Sequence, residues 1–88
     1  MWHVSTADRA KKAFARAQPN DRERLLEAVR ELAQDPYAAR HVEHLTNEEA
    51  AFRKRVGDWR IFFDLYPEQE LVHVVDTRRR TTTTYRKR

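Results

Sequence analysis

Arginine binds phosphate through a planar fork of N–H donors and stacks on bases, and this sequence sets several arginines where one β-hairpin would present them together. In Phe52-Arg53-Lys54-Arg55-Val56-Gly57-Asp58-Trp59-Arg60-Ile61-Phe62-Phe63-Asp64, the only glycine of the chain separates two alternating runs. Arg53 and Arg55 are two residues apart on the first run, which sets their side chains on one face about 7 Å apart at the usual strand rise. Arg60 faces the same way on the second run. Lys54 stands among them, and two basic clusters follow, Arg78-Arg79-Arg80 and Tyr85-Arg86-Lys87-Arg88. A Trp, Tyr or Phe beside such arginines supplies a platform on which a base stacks. Arginines gathered around an aromatic, without a carboxylate cluster, suit the binding of a strained phosphodiester better than metal chemistry. Arginines that lie over apolar surface and pair with Asp64 or a glutamate would give the same pattern, and alternation alone leaves both readings open.

The charge distribution bears on that choice. The net charge of +4 is the resultant of −1 over residues 1–52 and +5 over residues 53–88, so the whole excess lies in the C-terminal part. Such a concentration is the footprint of a polyanionic partner, or of a basic tail kept for solubility or for pairing with an acidic protein. Eighty-eight residues make one domain, 1–88, near the size at which a single hydrophobic core is only just sufficient. With no cysteine, neither disulfides nor thiolate zinc sites can supplement that core, which fits a reducing cytoplasm. No apolar run approaches the roughly 18 residues of a membrane span, and no signal-peptide pattern opens the chain. The expectation is a soluble cytoplasmic protein without membrane contact.

The elements that must position these side chains divide into a helical half and a strand half. Trp2 and Val4 read as a first strand. Ser5, with Asp8 three residues later, reads as the cap of a helix whose apolar stripe is Ala7, Ala10, Phe14 and Ala17. Pro19-Asn20-Asp21 breaks it, and Asn20 or Asp21 can cap a second helix with the core stripe Leu25, Val29, Leu32 and Ala33, widened by Leu26 and Ala28. Asp35-Pro36 ends that helix, because the residue before proline is pushed out of the helical region. Residues 37–50 read as a loop with at most one helical turn. The strand over 51–56 sets Phe52, Lys54 and Val56 on one face, with Lys54 interrupting the apolar set. The strand over 59–66 turns Trp59, Ile61, Phe63 and Leu65 inward and Arg60, Phe62, Asp64 and Tyr66 outward. Pro67-Glu68-Gln69-Glu70 is a turn, and a third strand covers 71–76. The predicted fold is α+β: an N-terminal strand, an α-helical hairpin, then an antiparallel β-sheet meander with helices on one face.

This order carries a resemblance. The strand and helical hairpin are followed by Phe52-Arg53-x-Arg55, Gly57-Asp58-Trp59-Arg60-Ile61-Phe62-Phe63, Val74-Val75-Asp76, Arg78-Arg79 and the late Tyr85, and the whole resembles the RelE/ParE superfamily of bacterial toxins over nearly its full length. The most specific elements are the turn and strand at Gly57-Asp58-Trp59-Arg60 and the ending of paired arginines followed by tyrosine. The resemblance implies the RelE-like microbial RNase fold and the toxin component of a type II toxin–antitoxin system. Its implied partner is a cognate antitoxin, acidic or DNA-binding, in a toxin–antitoxin hetero-oligomer. Two activities are implied: RelE-like members cleave mRNA in the ribosomal A site, and ParE-like members inhibit DNA gyrase and are not nucleases.

Roles carry over residue by residue. Arg53 and Arg55 match basic residues that bind phosphate on the strand before the glycine turn. Arg60 matches the arginine after the turn aromatic, Arg79 the arginine of the basic run after the last strand, and Tyr85 the late tyrosine proposed as general base. The resemblance thus makes Arg60, Arg79 and Tyr85 the catalytic candidates, with Arg53, Lys54, Arg55, Arg78 and Arg80 as RNA- or phosphate-binding candidates. The implied reaction is attack of an RNA 2′-OH on the adjacent phosphate, with no metal or other cofactor. Cationic neighbours would lower the phenol pKa from about 10, and the arginines would stabilise the phosphorane. Some family nucleases have lysines where Arg53 and Arg55 stand here, and arginine clamps phosphate but is a poor proton donor, which leaves the general acid unassigned. His41 and His44 have the i, i+3 spacing of a metal pair but lack a third ligand, and His73 shares a strand face with Leu71 and Val75. The leading expectation is a ribosome-dependent mRNA endonuclease that inhibits translation. The alternatives are a ParE-like gyrase inhibitor acting by protein contact through the helical hairpin, and a non-catalytic RNA-binding module.

Overall fold

Trp59, Ile61, Phe63 and Leu65 alternate so regularly with polar or outward residues that their strand belongs at the centre of a sheet, and the computed structural model, which describes residues 1–46 and 49–80, places it there. In chain order the elements are β1 (His3–Thr6), α1 (Asp8–Arg16), α2 (Pro19–Gln34), β2 (Val42–His44), β3 (Phe52–Val56), β4 (Trp59–Tyr66) and β5 (Leu71–Arg79), with one 3-10 turn at Pro67–Gln69. The strands form one sheet in the order β1-β5-β4-β3-β2. β1 pairs with β5 in parallel, and every other neighbouring pair is antiparallel. The α+β architecture is the expected one, enlarged by one strand.

The helical hairpin covers the inward face. Ala10 from α1, Ala17 just past its end, and Leu25, Ala28 and Leu32 from α2 pack in one buried cluster with Trp59, Ile61, Phe63, Val72 and Val74. Phe63, Leu25, Leu32, Ile61, Val72 and Val74 are fully buried, each contributing roughly 1.5–3 kcal/mol by removal from water. The connection between the helices is held by Arg22, whose guanidinium donates to the carbonyls of Phe14 (3.1 Å), Ala15 (3.1 Å) and Ala17 (3.0 Å). The Ala15 and Ala17 carbonyls, at and just past the end of α1, are among those left without a helical N–H, whereas the Phe14 carbonyl also accepts from the Ala17 N–H at 3.2 Å.

The helix starts differ from the expected ones for identifiable reasons. Ser5 does not cap α1: its backbone is committed to the parallel ladder opposite His73, and its hydroxyl lies 2.7 Å from His73 Nδ1. The helix begins after Ala7, whose N–H still donates to the Val74 carbonyl and which makes no side-chain cap. Neither Asn20 nor Asp21 caps α2, because Pro19 already occupies its first turn, where a missing N–H costs nothing. The end of α2 at Asp35 is as expected.

Residues 37–50 contain a strand that the sequence does not announce. β2 is three residues long, and its Val42, Glu43 and His44 pair with Lys54, Arg53 and Phe52 of β3. His41, at a φ of 61°, turns the chain into it. The segment is short and Glu43 is a poor strand former, so its conformation comes from pairing with the β3 edge, with the Glu43–Arg53 ion pair beside it, rather than from propensity.

Gly57 and Asp58 form the two-residue connection between Val56 and Trp59, which face each other at the end of the β3–β4 ladder. Gly57 has a φ of 60°, whereas Asp58 is not among the positive-φ residues, the pattern of a turn that takes glycine at its first central position. A Cβ there would lie 3.2 Å from Nη1 of the flexible Arg24 side chain, so backbone strain rather than crowding sets the penalty. Gly57→Ala is expected to lower stability by about 1–2 kcal/mol in urea unfolding; a midpoint equal to that of the unsubstituted chain would refute this account of the turn.

Candidate nucleic-acid interface

Strand register decides which basic side chains meet. Between β3 and β4, Arg53 lies opposite Phe62 and Arg55 opposite Arg60. Between β4 and β5 the register shifts by one residue: Phe63 pairs with Val74 and Phe62 with Asp76, so Val75 is extra. A one-residue bulge reverses the facing of everything beyond it. With regular pairing, Arg60 would face Thr77, and Arg79 would share the outer face. With the bulge, Arg60 faces Arg78, while Thr77 turns inward and is 3% exposed. Arg55, Arg60 and Arg78 therefore form a row across three adjacent strands, each step about 5 Å. Arg79 pairs with Trp59 and belongs to the helix-covered side, so the third member of the row is Arg78 and not Arg79.

Carboxylates gather at one end of this row. Arg78 Nε is 2.7 Å from Asp76 Oδ2, and its guanidinium carbon lies 4.8 Å from the centroid of the Phe62 ring. Arg78 Nη2 is also 3.3 Å from Glu49 Oε1, and the same oxygen accepts from Arg9 Nη2. Arg9 Nε closes the circuit, 3.6 Å from Asp76 Oδ2. The hydrogen bond to Glu49 above all, and then the charges of Asp76 and Glu49, raise the Arg9 guanidinium further above its already high pKa. Glu49 lies shortly before β3, where residues 50–51 are held onto the sheet: Ala51 N–H donates to Asp64 Oδ1 at 2.7 Å, and Ala50 is 4% exposed.

The rest of the row is different. Among the described residues, neither Arg55 nor Arg60 has an ion-pair partner, and Arg53 pairs with Glu43. The Nε atoms of Arg53 and Arg60 are buried without a hydrogen-bond partner among those residues. A buried donor left unmade costs on the order of 1–3 kcal/mol. Two pairs of arginines directly opposite each other also repel, a local cost that an anion would remove.

Lys54, expected among the phosphate-binding residues, points the other way. It is 3% exposed, with Nζ 2.6 Å from the Arg40 carbonyl and 3.0 Å from Glu31 Oε1. It ties β3 to α2 and the following loop. The Glu31 carboxyl lies below its ordinary pKa, chiefly because it accepts from the Arg40 backbone N–H at 3.0 Å and also from Lys54; burial opposes the shift. Arg80 is exposed at the strand end, its N–H donating to the Asp58 carbonyl at 2.6 Å. Tyr85 lies outside the described residues. Of the histidines, His44 packs edge-on against Phe52 and His73 faces Ser5. No group of three or more metal-ligating side chains is present among the described residues. Sequence reasoning missed Arg9 and Glu49, since no spacing rule links a helix residue and a loop residue to positions 76 and 78.

The sequence model of a family described as "ParE toxin of type II toxin-antitoxin system, parDE" matches residues 2–83. Among curated proteins no sequence matches the chain. Solved structures do. The archaeal RelE in the RelE–RelB complex from Pyrococcus horikoshii OT3 is 19% identical, with a TM-score of 0.79 over 92% of this chain and 97% of that one. The isolated E. coli RelE toxin is 16% identical, with a TM-score of 0.78 over 97% and 92%. A chain of the RelBE2 toxin–antitoxin complex from Mycobacterium tuberculosis is 21% identical, with a TM-score of 0.75 over 90% and 98%. At these identities the likeness is one of fold.

The inward position of Lys54 has a direct check. Lys54→Met is expected to lower stability by about 1–3 kcal/mol, since it removes the closer of the two cations beside the partly buried Glu31 and leaves only Arg40, at 3.8 Å, while affinity for a polyanion such as heparin changes less than about twofold. A large affinity loss without destabilisation would put Lys54 back on the binding face. Glu31 gives a pH signature. Its folded pKa is depressed, so its contribution is present above the ordinary value of 4.5 and is lost as pH falls through the folded value. The stability difference between the unsubstituted chain and Glu31→Gln should therefore shrink below about pH 4.5 in urea titrations; a difference that grew there would contradict the assignment.

Proposed function

The chain belongs to the ParE toxin family of type II toxin–antitoxin systems, and on that footing we propose that it is a ribosome-dependent mRNA endonuclease acting in the cytoplasm to inhibit translation. The observation that carries this reading is the row Arg55–Arg60–Arg78 on the outer face, with the Arg60 Nε donor unpartnered at its centre. A single RNA backbone laid along the row would meet three guanidinium forks at strand spacing, with Arg53 beside them.

The reaction that suits such a row is attack of a 2′-OH on its own 3′-phosphate. Negative charge builds on the phosphorane oxygens, and fixed guanidinium groups stabilise it without reorganising during the step. Arg60 is best placed to hold the phosphorane, with Arg55 and Arg78 on either side. Arg78 takes the part that the sequence resemblance gave to Arg79. Tyr85 is assigned as the base that removes the 2′-OH proton, and Arg80 as a further backbone contact. Arginines do not give up protons, so the leaving 5′-oxygen draws its proton from another group or from water. The partner that silences the toxin is a cognate antitoxin, which we assign an acidic segment laid over this row. Antitoxin complexes of RelE toxins are among the solved structures that share the fold.

A second reading, a gyrase inhibitor that acts by protein contact, draws on the family description and on the pairing of Arg53 and Arg78 with carboxylates of the chain itself. Arg60→Ala separates the two. It is expected to reduce translation-dependent mRNA cleavage by roughly 100-fold with the melting temperature little changed, and Tyr85→Phe is expected to do likewise. Growth arrest that persists in both variants, together with loss of DNA supercoiling, would sink the nuclease reading in favour of gyrase inhibition.

A further inference from the structure

The carboxylate of Glu49 occupies a position made for a different anion. Its Oε1 accepts from Nη2 of both Arg9 and Arg78. One anionic oxygen shared by two guanidinium forks is how a phosphate oxygen sits in an arginine clamp. The two arginines are held there by other means. Arg78 is fixed by Asp76 at 2.7 Å and by its stacking on Phe62, and Arg9 comes from the first turn of α1 with its own contact to Asp76. Glu49 belongs to no strand, and its side chain is 52% exposed. Exposed ion pairs are weak, so the anion between the two arginines is the exchangeable member of the set.

We propose that Arg9 and Arg78 form a phosphate seat at the end of the arginine row, and that Glu49 fills it as an internal stand-in until a phosphate group of the polyanion displaces it. The proposal rests on the nucleic-acid reading above for the source of the phosphate, and on the geometry alone for the seat. With Glu49 in place, the circuit of two arginines and two carboxylates is neutral. With Glu49 displaced, the seat carries a net positive charge continuous with Arg60, the strand neighbour of Arg78. The tethered carboxylate competes at high effective concentration. Weak monovalent anions therefore do not enter, whereas a chain of phosphates engages Arg55, Arg60 and the seat together. The device raises selectivity for polyphosphate backbones by lowering affinity for everything else.

The test uses the full chain, tripolyphosphate as the probe, and NMR of the arginine Nε–H groups. Glu49→Gln is expected to bind tripolyphosphate about fivefold more tightly than the unsubstituted chain, the worth of an exposed ion pair, with the Arg9 and Arg78 signals moving together. Glu68→Gln, which removes the same charge at the distant turn, should change affinity less than about twofold. Adding Arg9→Ala to Glu49→Gln should abolish the gain. In the unsubstituted chain, excess tripolyphosphate should also shift the Glu49 carboxyl carbon, a measurement that stands even if a variant fails to fold. The seat is refuted if Glu49→Gln gains no more than Glu68→Gln, if the gain survives Arg9→Ala, or if the Glu49 carbon stays in place at saturation. A single-stranded RNA decamer provides the second arm. Tripolyphosphate binding at the seat without RNA binding by any variant would uphold the seat and sink the nucleic-acid reading; RNA binding indifferent to Glu49 and Arg9 would do the reverse.

Discussion

Val75 is one residue more than the β4–β5 ladder needs, and the chemistry of the outer face depends on that extra residue. Because successive side chains of a strand point to opposite faces, inserting one residue exchanges the inner and outer sets beyond it. Asp76 and Arg78 are thereby brought outward while Thr77 and Arg79 go to the other side. Asp76 then stands where Arg9 reaches it from α1, and Arg78 lies over Phe62 and opposite Arg60. Remove the bulge and the row would lose its third arginine, the circuit with Glu49 its centre, and Phe62 its cover.

A sheet of this size can carry so much positive charge on one face because the opposite face is well secured. Phe63, Ile61, Val72 and Val74 lock β4 and β5 to the helical hairpin, and Lys54 ties β3 to α2 through Glu31 and the Arg40 carbonyl. The lysine that interrupts an apolar face is thus a strut, buried with its charge paired. Among the described residues, repulsion within the row is relieved only at its Arg78 end, where Asp76 and Glu49 pair with Arg78, while Arg53 beside the row pairs with Glu43. The centre at Arg60 is left with an unmet donor. Charge is concentrated where a polyanion would bind and offset where the protein must hold itself together.

Much of this architecture is legible from local pattern. The alternation through Trp59, Ile61, Phe63 and Leu65 defines the central strand, Leu25 and Leu32 define the buried stripe of α2, and Asp35-Pro36 marks its end. Arg55 and Arg60 could be placed side by side because Gly57-Asp58 leaves only one short connection between their strands, and so only one register. Other features are not legible. β2 is too short and too polar to show a period, and Ser5, a good helix cap by type, is claimed by pairing with a strand 68 residues away. The inward burial of Lys54 followed from its parity; that it is a structural tie depended on where Glu31 and Arg40 lie.

The sequence alone determined the class of fold, the helical hairpin, the central β-hairpin and the pair Arg55–Arg60, because helical and strand periods and a two-residue turn are set by neighbours along the chain. Tertiary structure decided which arginine of Arg78-Arg79-Arg80 joins that pair, and that Arg9 and Glu49 meet it. Those outcomes depend on a register shift between two strands and on the approach of a helix end and a loop, contacts among residues far apart in sequence whose free energy no local pattern encodes.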